Sequence, residues 1–378
     1  MADDLLIRCS PAEAGFDPNR WEGVLGLASR LAASQTGSLA LEVSHSGRTP
    51  GSSHFGWHSP ERPLGPGAIF LVASLTKPVV AMAAMLLVER GLLTLADRVS
   101  DYLPTPGSAR KPMTVRHLLT HTSGLPDMLP DNLDLRRQQA PLSRFLEGAC
   151  AVDLDFPPGR GVQYQSMGFM LLARIIELVS GRELPDFLKT EIFEPCGMTD
   201  TALGAPASWF GGPDPEINRV PHIEVPEEQR GGEAWNWNSR YWRMLGAPWG
   251  GLLSTTTDLL RFCAAMMPGT SQSGRGPFSQ ATIRAAAVNQ LEAYADVPEA
   301  DRRCRGWGFG WRLQWPAHAA SFGDLVSPKA FGHWGATGTL FWCDPQTEVA
   351  AVLLTSTPLE RSGIPLARLS SVIAAARE

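Results

Sequence analysis

The sequence predicts an α/β fold with an added helical part: a sheet flanked by helices, built from both ends of the chain, and a mostly helical insertion between them. Three observations predict it. Strand-like segments lie near the N-terminus and again after residue 308. Helical periodicity dominates the stretch between them. A Gly-, Pro- and Trp-rich stretch at 203–250 interrupts that helical region with little period of its own. Segregated strands and helices of this kind describe a sheet layer packed against helices.

The elements follow in order. Residues from Pro11 to about Ala33 carry an amphipathic helical pattern. Ser38 to Ser44 alternates as a strand and stops at Ser46-Gly47. Residues 79–88 (VVAMAAMLLV) are apolar on every face, which marks a buried helix. Gly91 supplies its stop and Pro78 sits in its first turn, where proline costs least. The run is too short to span a bilayer, which takes ~20 apolar residues. Thr114 to Leu119, Pro141 to Ala151, Met167 to Ser180 and Thr255 to Met267 read as helices, with Gly181 ending the third and Ser254-Thr255 capping the last. Gly308 to Leu313, Thr339 to Trp342 and Val349 to Leu354 read as strands, with Asp344-Pro345-Gln346-Thr347 as a turn. A final helix runs from about Pro365 to Arg377. The expected division is 1–95 with 265–378 as a discontinuous α/β part and 96–264 as the helical part, the active site lying between them.

Composition narrows the function. The 378 residues carry a net charge of −5, which gives no reason to expect a nucleic-acid partner. Met1-Ala2-Asp3-Asp4 shows no basic segment and no apolar signal core, so a cytoplasmic protein without membrane attachment is expected. Six scattered cysteines without a C-x-x-C pair read as reduced, mostly buried thiols. No P-loop, dinucleotide fingerprint or Gly-x-Ser-x-Gly elbow appears, and no cofactor is expected. His117 and His121 sit four apart with Asp127 downstream, but the intervening Leu118-Leu119-Thr120 provides no glutamate base, and no metal is expected. His54 and His58 fall in a Gly/Ser/Pro-rich stretch read as a solvated loop.

The chemistry concentrates in Ser74-Leu75-Thr76-Lys77, at the mouth of the apolar helix. Three residues is close to one helical turn, so hydroxyl and amine project from one face. Serine needs a base within hydrogen-bond reach. A lysine stripped of water loses its proton near neutrality and becomes that base. Of the four lysines one other, Lys111, follows a serine (Ser108) at this spacing, amid prolines and glycine that read as a loop. Tyr164 follows the turn signal Phe156-Pro157-Pro158-Gly159 and precedes a helix, where its phenol can reach a cleft. A neighbouring ammonium is expected to lower its pKa and make it a general base, then a general acid. Phe331-Gly332-His333-Trp334-Gly335-Ala336-Thr337-Gly338-Thr339 leads into a strand, and its glycines allow close backbone approach to a ligand. One reading gives that stretch an oxyanion-hole N–H beside that of Ser74; the other makes it a glycine-rich strand start with a packed histidine. Trp209, Trp235, Trp237, Tyr241, Trp242 and Trp249 either wall a substrate pocket or pin the 203–250 stretch to the body.

Taken together, these stretches resemble the serine β-lactamase-like and penicillin-binding-protein-like hydrolases, and within them the class C β-lactamase-related esterases known as family VIII carboxylesterases. Leu118-Leu119-Thr120-His121-Thr122-Ser123-Gly124-Leu125 and Trp249-Gly250-Gly251-Leu252-Leu253-Ser254-Thr255 add to the resemblance, which spans roughly Leu39 to Thr355. It implies an antiparallel sheet flanked by helices. It implies Ser74 as nucleophile, Lys77 as its partner, and Tyr164 as the tyrosine of the Tyr-x-Asn box. It places His333-Trp334-Gly335 at the Lys-Thr-Gly box, with Ala336 giving the second oxyanion N–H. Ser166, His333, Trp334, Gly335 and Trp249 are the expected substrate-binding residues. Two departures stand out: Ser166 replaces the asparagine, and His333 replaces the lysine that faces a substrate carboxylate. Both weaken the β-lactamase and D,D-peptidase readings and agree with a serine esterase forming an acyl-enzyme from a small uncharged ester or acyl substrate. A transacylase using the same residues is the alternative. A sensor that acylates and stops is the non-enzymatic one.

Overall fold

The computed structural model describes residues 5–59, 61–104, 107, 110–267, 276–316 and 318–377. Its strands are β1 (Ile7–Arg8), β2 (Ser38–His45), β3 (Arg48–Thr49), β4 (Ser53–Ser59), β5 (Arg62–Pro63), β6 (Phe70–Leu71), β7 (Ala202–Leu203), β8 (Leu252–Ser254), β9 (Arg312–Leu313), β10 (Phe331–Gly335), β11 (Thr339–Asp344) and β12 (Val349–Thr355). The helices are α1 (Pro18–Leu31), α2 (Thr76–Glu89), α3 (Val115–Leu119), α4 (Asn132–Arg137), α5 (Leu142–Ala151), α6 (Met167–Ser180), α7 (Leu184–Leu188), α8 (Glu194–Cys196), α9 (Arg240–Leu245), α10 (Thr256–Ala265), α11 (Gln280–Ala286), α12 (Glu299–Cys304) and α13 (Leu359–Ala375).

A nine-stranded sheet runs β1-β3-β2-β12-β11-β10-β9, with β4 also on β2 and β5 on β4. It is antiparallel except for the two-residue β1–β3 pair. Both ends of the chain build it, and the register Leu41↔Leu353 and Phe341↔Val352 locks its centre. Alternation then sorts the side chains. Leu39, Leu41 and Val43 of β2 join Trp334, Trp342 and Leu353 under α1 and α13. On the other face Ala40, Phe341, Val352 and Leu354 meet α2, α6 and α10. Glu42 shares that face and is buried, its carboxylate taking the Thr257 hydroxyl of α10 at 2.5 Å. A second sheet, β6-β8-β7, leads the chain from the large sheet into α2.

Several sequence expectations need correction. The 53–59 stretch is strand β4 rather than a solvated loop, and both ring nitrogens of His58 are buried without a partner. Burial also lowers the pKa of His54 and His58. Only Arg312–Leu313 of the 308–313 segment pairs as strand. The last helix begins at Leu359, so Pro365 lies inside it. Ser108, of the second serine–lysine spacing, falls outside the described residues. Among the described residues no helix is long and apolar enough to cross a membrane.

Candidate active site

The site starts where β6 hands over to α2. Phe70 and Leu71 pair with Ser254 and Leu253 of β8, which fixes the direction of the incoming chain. The backbone then turns sharply through Ala73, a non-glycine residue at φ 48°. This left-handed conformation costs an alanine on the order of 1 kcal/mol. Thr76 holds the turn by donating its hydroxyl to Ala73 O (2.6 Å) and accepting from Leu252 N (3.0 Å). Ser74 emerges on this single 3-10 turn, half-buried, with α2 following at Thr76.

Lys77 points back along the same face. Its Nζ lies 3.1 Å from Ser74 Oγ and donates to Trp249 O at 2.9 Å. The side chain has no exposed surface. Burial penalises the ammonium and brings its pKa down to about 7, against the opposing pull of Asp127. Near neutral pH the amine is thus available as a base for the serine it touches.

Tyr164 closes the group. Its ring sits 4.9 Å from His121, 5.9 Å from His333 and 5.9 Å from Trp307, stacked on the last. Lys77 Nζ lies 4.6 Å above its centroid, and the nearby Ser74 hydroxyl pulls the phenol's pKa downward. The expected lowering of its pKa does not occur. Burial first, and the Asp127 charge second, push the phenol far above its ordinary value. An ammonium that is itself half deprotonated at pH 7 cannot outweigh that desolvation. Tyr164 is therefore a proton donor and relay, and the free base of the site is Lys77.

The turn after β10 presses against the same corner. A Cβ on Gly335 would stand 2.4 Å from Val72 O and 2.1 Å from Thr339 Oγ1, so only glycine fits. Thr337 Oγ1 donates to Leu71 O (2.7 Å) and Thr339 Oγ1 to Val72 O (2.8 Å). Ala336 follows Gly335 directly and begins the turn, beside the residues that present Ser74.

The other expected substrate-binding residues divide. His333 reaches the site: its ring lies against Tyr164 and Trp307. Its Nδ1 sits 2.7 Å from Trp334 O, an acceptor, so Nδ1 carries the proton. Burial holds its pKa down at about 3, so it brings no cation in place of the lysine. Trp334 does not reach the site. Its indole points to the other face of the sheet and donates to Ala320 O at 3.1 Å. Trp249 contributes its carbonyl to Lys77, while its ring is buried against Phe145. Ser166 turns its hydroxyl to Asp127 Oδ1 at 2.6 Å. The remaining tryptophans settle the two readings in part. Trp235 and Trp242 lie 5.3 and 4.1 Å from the buried Arg136 guanidinium, and so pin the 203–250 stretch to α4. His117 and His121 are committed elsewhere: His117 Nδ1 caps its own helix at Thr114 N, and His121 Nδ1 accepts Gln165 N–H.

Two participants escaped the sequence reading. Trp307, 4% exposed, stacks on Tyr164 and meets His121 edge-on at 4.2 Å. Its signal was the Gly306-Trp307-Gly308 context, which no periodicity marks. Asp127 was noticed only as a metal candidate. Its carboxylate is the acidic group whose charge reaches both Lys77 and Tyr164.

Comparison with known proteins decides the family. The β-lactamase family profile matches residues 27–374. The chain belongs to the β-lactamase family. Among family relatives it is similar to esterase EstB of Burkholderia gladioli, 30% identical over 81% of each chain. It is also similar to penicillin-binding protein 4* of Bacillus subtilis, 40% identical over 38% of this chain; that match spans 32% of the Bacillus protein. The β-lactamase-family fold is shared with EstCE1, described as a hydrolase with promiscuous acyltransferase activity, at a TM-score of 0.74 and 21% identity over 94% of this chain and 98% of that one.

Proposed function

We propose that this β-lactamase-family protein is a serine carboxylesterase working through an acyl-enzyme on Ser74. The observation that carries the reading is the contact of Ser74 Oγ with a wholly buried Lys77 whose pKa lies at about 7. Neutral Lys77 takes the Ser74 proton as Oγ bonds to the ester carbonyl carbon. The carbonyl π pair moves to oxygen, and the N–H groups of Ser74 and Ala336 receive it. On collapse the carbon–alkoxy bond breaks. Tyr164 gives its proton to the leaving alkoxide, and the Lys77 ammonium restores it. Water then repeats the sequence in reverse roles to free the acid. Neutral His333 itself offers no cation to the carboxylate of a β-lactam or peptide terminus, which supports an ester. Similarity to an esterase supports the same choice. Transfer of the acyl group to an alcohol or amine uses the same atoms, and the acyltransferase activity described for EstCE1 favours it as the second reading.

The test is p-nitrophenol release from p-nitrophenyl butyrate by wild type and Ser74→Ala side by side. Sustained release that disappears in Ser74→Ala is expected; equal release by both would overturn the mechanism. Faster acyl-enzyme breakdown with added alcohol than with water alone would select the transacylase reading.

A further inference from the structure

The charges around Ser74 are unevenly matched. His121 and His333 are neutral, each with its Nδ1 engaged and held by burial well below the ordinary histidine pKa. Arg312 lies one strand away, paired in register with Gly332, and its guanidinium is stacked on Trp315 at 3.8 Å with an N–H to Ala320 O. Trp334 donates to the same carbonyl; the Arg312 charge is felt at Tyr164 and His333, but among the described residues Arg312 forms no ion pair with Asp127. The other charged groups here are Lys77 and Asp127. Lys77 spends its hydrogen bonds on Ser74 and Trp249 O.

Asp127 is held firmly and paired with no cation. Its backbone carbonyl accepts Ser166 N (3.1 Å) and Met167 N (3.2 Å) at the start of α6. Its Oδ1 accepts the Ser166 hydroxyl at 2.6 Å. Among the described residues it forms no ion pair, while other acidic side chains there, such as Asp200 and Glu191, are paired with arginines. It is half-buried, and Met128 beside it is 37% exposed, so this corner opens to solvent. A half-buried carboxylate with one oxygen fixed and no cation is incompletely compensated whenever Lys77 is the free base. A cation delivered by the substrate would complete it.

We infer that Asp127, oriented by Ser166, is a binding residue for an ammonium group carried by the ester substrate. The inference rests on the esterase reading and adds a substrate class to it: cationic amino esters. The charged hydrogen bond it offers is expected to favour such substrates about tenfold over uncharged isosteres.

The test compares isosteric pairs on one enzyme preparation. 3-Aminopropanoyl and butanoyl p-nitrophenyl esters differ by an ammonium on the acyl side. 2-(Dimethylammonio)ethyl thioacetate and 3-methylbutyl thioacetate differ by an N–H-bearing cation on the alcohol side. The kcat/KM ratio of cationic to neutral substrate is measured for wild type, Asp127→Asn and Asp127→Glu. Reading both substrates on the same preparation cancels any loss of folded protein or change at Lys77. A fall of threefold or more in at least one pair with Asp127→Asn, largely restored in Asp127→Glu, is expected, and the pair that responds tells which half of the substrate carries the cation. A change of less than threefold in both pairs overturns the inference while leaving the esterase reading intact. No turnover by wild type of any of the four esters, cationic or neutral, overturns the esterase reading, and this inference with it.

Discussion

Burial does most of the work on individual side chains here, and it acts in opposite directions on the two groups that move protons. It lowers Lys77 to about 7 and raises Tyr164 far above its usual range. The two shifts assign base and acid. They predict a kcat/KM profile that rises with pH to a midpoint near 7 and then stays level, with no alkaline limb from Tyr164 in the ordinary working range. Asp127 stabilises the Lys77 ammonium, so Asp127→Asn should let the amine lose its proton more readily. The acid limb then moves toward lower pH, and a move upward would contradict the assignment. Tyr164→Phe keeps the ring stacked on Trp307 and removes the relay. Single-turnover measurement should find acylation slower by roughly 10² or more, while the pH midpoint, which belongs to Lys77, stays close to that of the parent.

At the scale of elements, the β10–β11 hairpin and the turn bearing Ser74 are one mechanical unit. Gly335→Ala forces a methyl into Val72 O and the Thr339 hydroxyl. Relieving that overlap means breaking the Thr339–Val72 hydrogen bond next to the nucleophile. Urea unfolding should show a loss of about 1–3 kcal/mol, with turnover of the folded fraction down at least tenfold. Legibility follows the same logic of local against distant causes. α6 was readable to the residue, because Met167 to Ser180 carries an amphipathic period and Gly181 a left-handed stop at φ 70°. Ser74, Lys77 and Tyr164 were readable as a resemblance and as a spacing. β4 was not, since Ser53 to Ser59 mixes serines, histidines and a glycine with Phe55 and Trp57, is mostly half-buried and becomes a strand only by pairing with β2. Pro365 gave a false start for α13, whose true beginning at Leu359 is set by the Pro358 turn. Ser166 and Trp334 were assigned by position in a motif, and no motif records which way a side chain turns once Asp127 or the far sheet face competes for it.

Over the whole molecule, the long Trp-rich stretch reaches the body through Arg136. That guanidinium is buried between Trp235 and Trp242 and donates to Gln229 Oε1 at 3.0 Å. Arg136→Ala leaves those rings facing a void and those acceptors unmatched. Stability should fall by roughly 2–4 kcal/mol, and amide exchange should accelerate across 226–245 while β11 and β12 stay protected. The site draws on distant parts of the chain in two different currencies. Trp249 lends Lys77 a peptide carbonyl, and the turn at 335–336 lends peptide groups as well. Mutation rewrites side chains and leaves peptide groups in place, so the anchor of the lysine survives any replacement at 249 that keeps the path of the chain. The contact of the Ser166 hydroxyl with the Asp127 carboxylate is made by side chains and yields to a single codon change. Inheritance can therefore retune which substrates are accepted while the reaction itself is passed on unaltered.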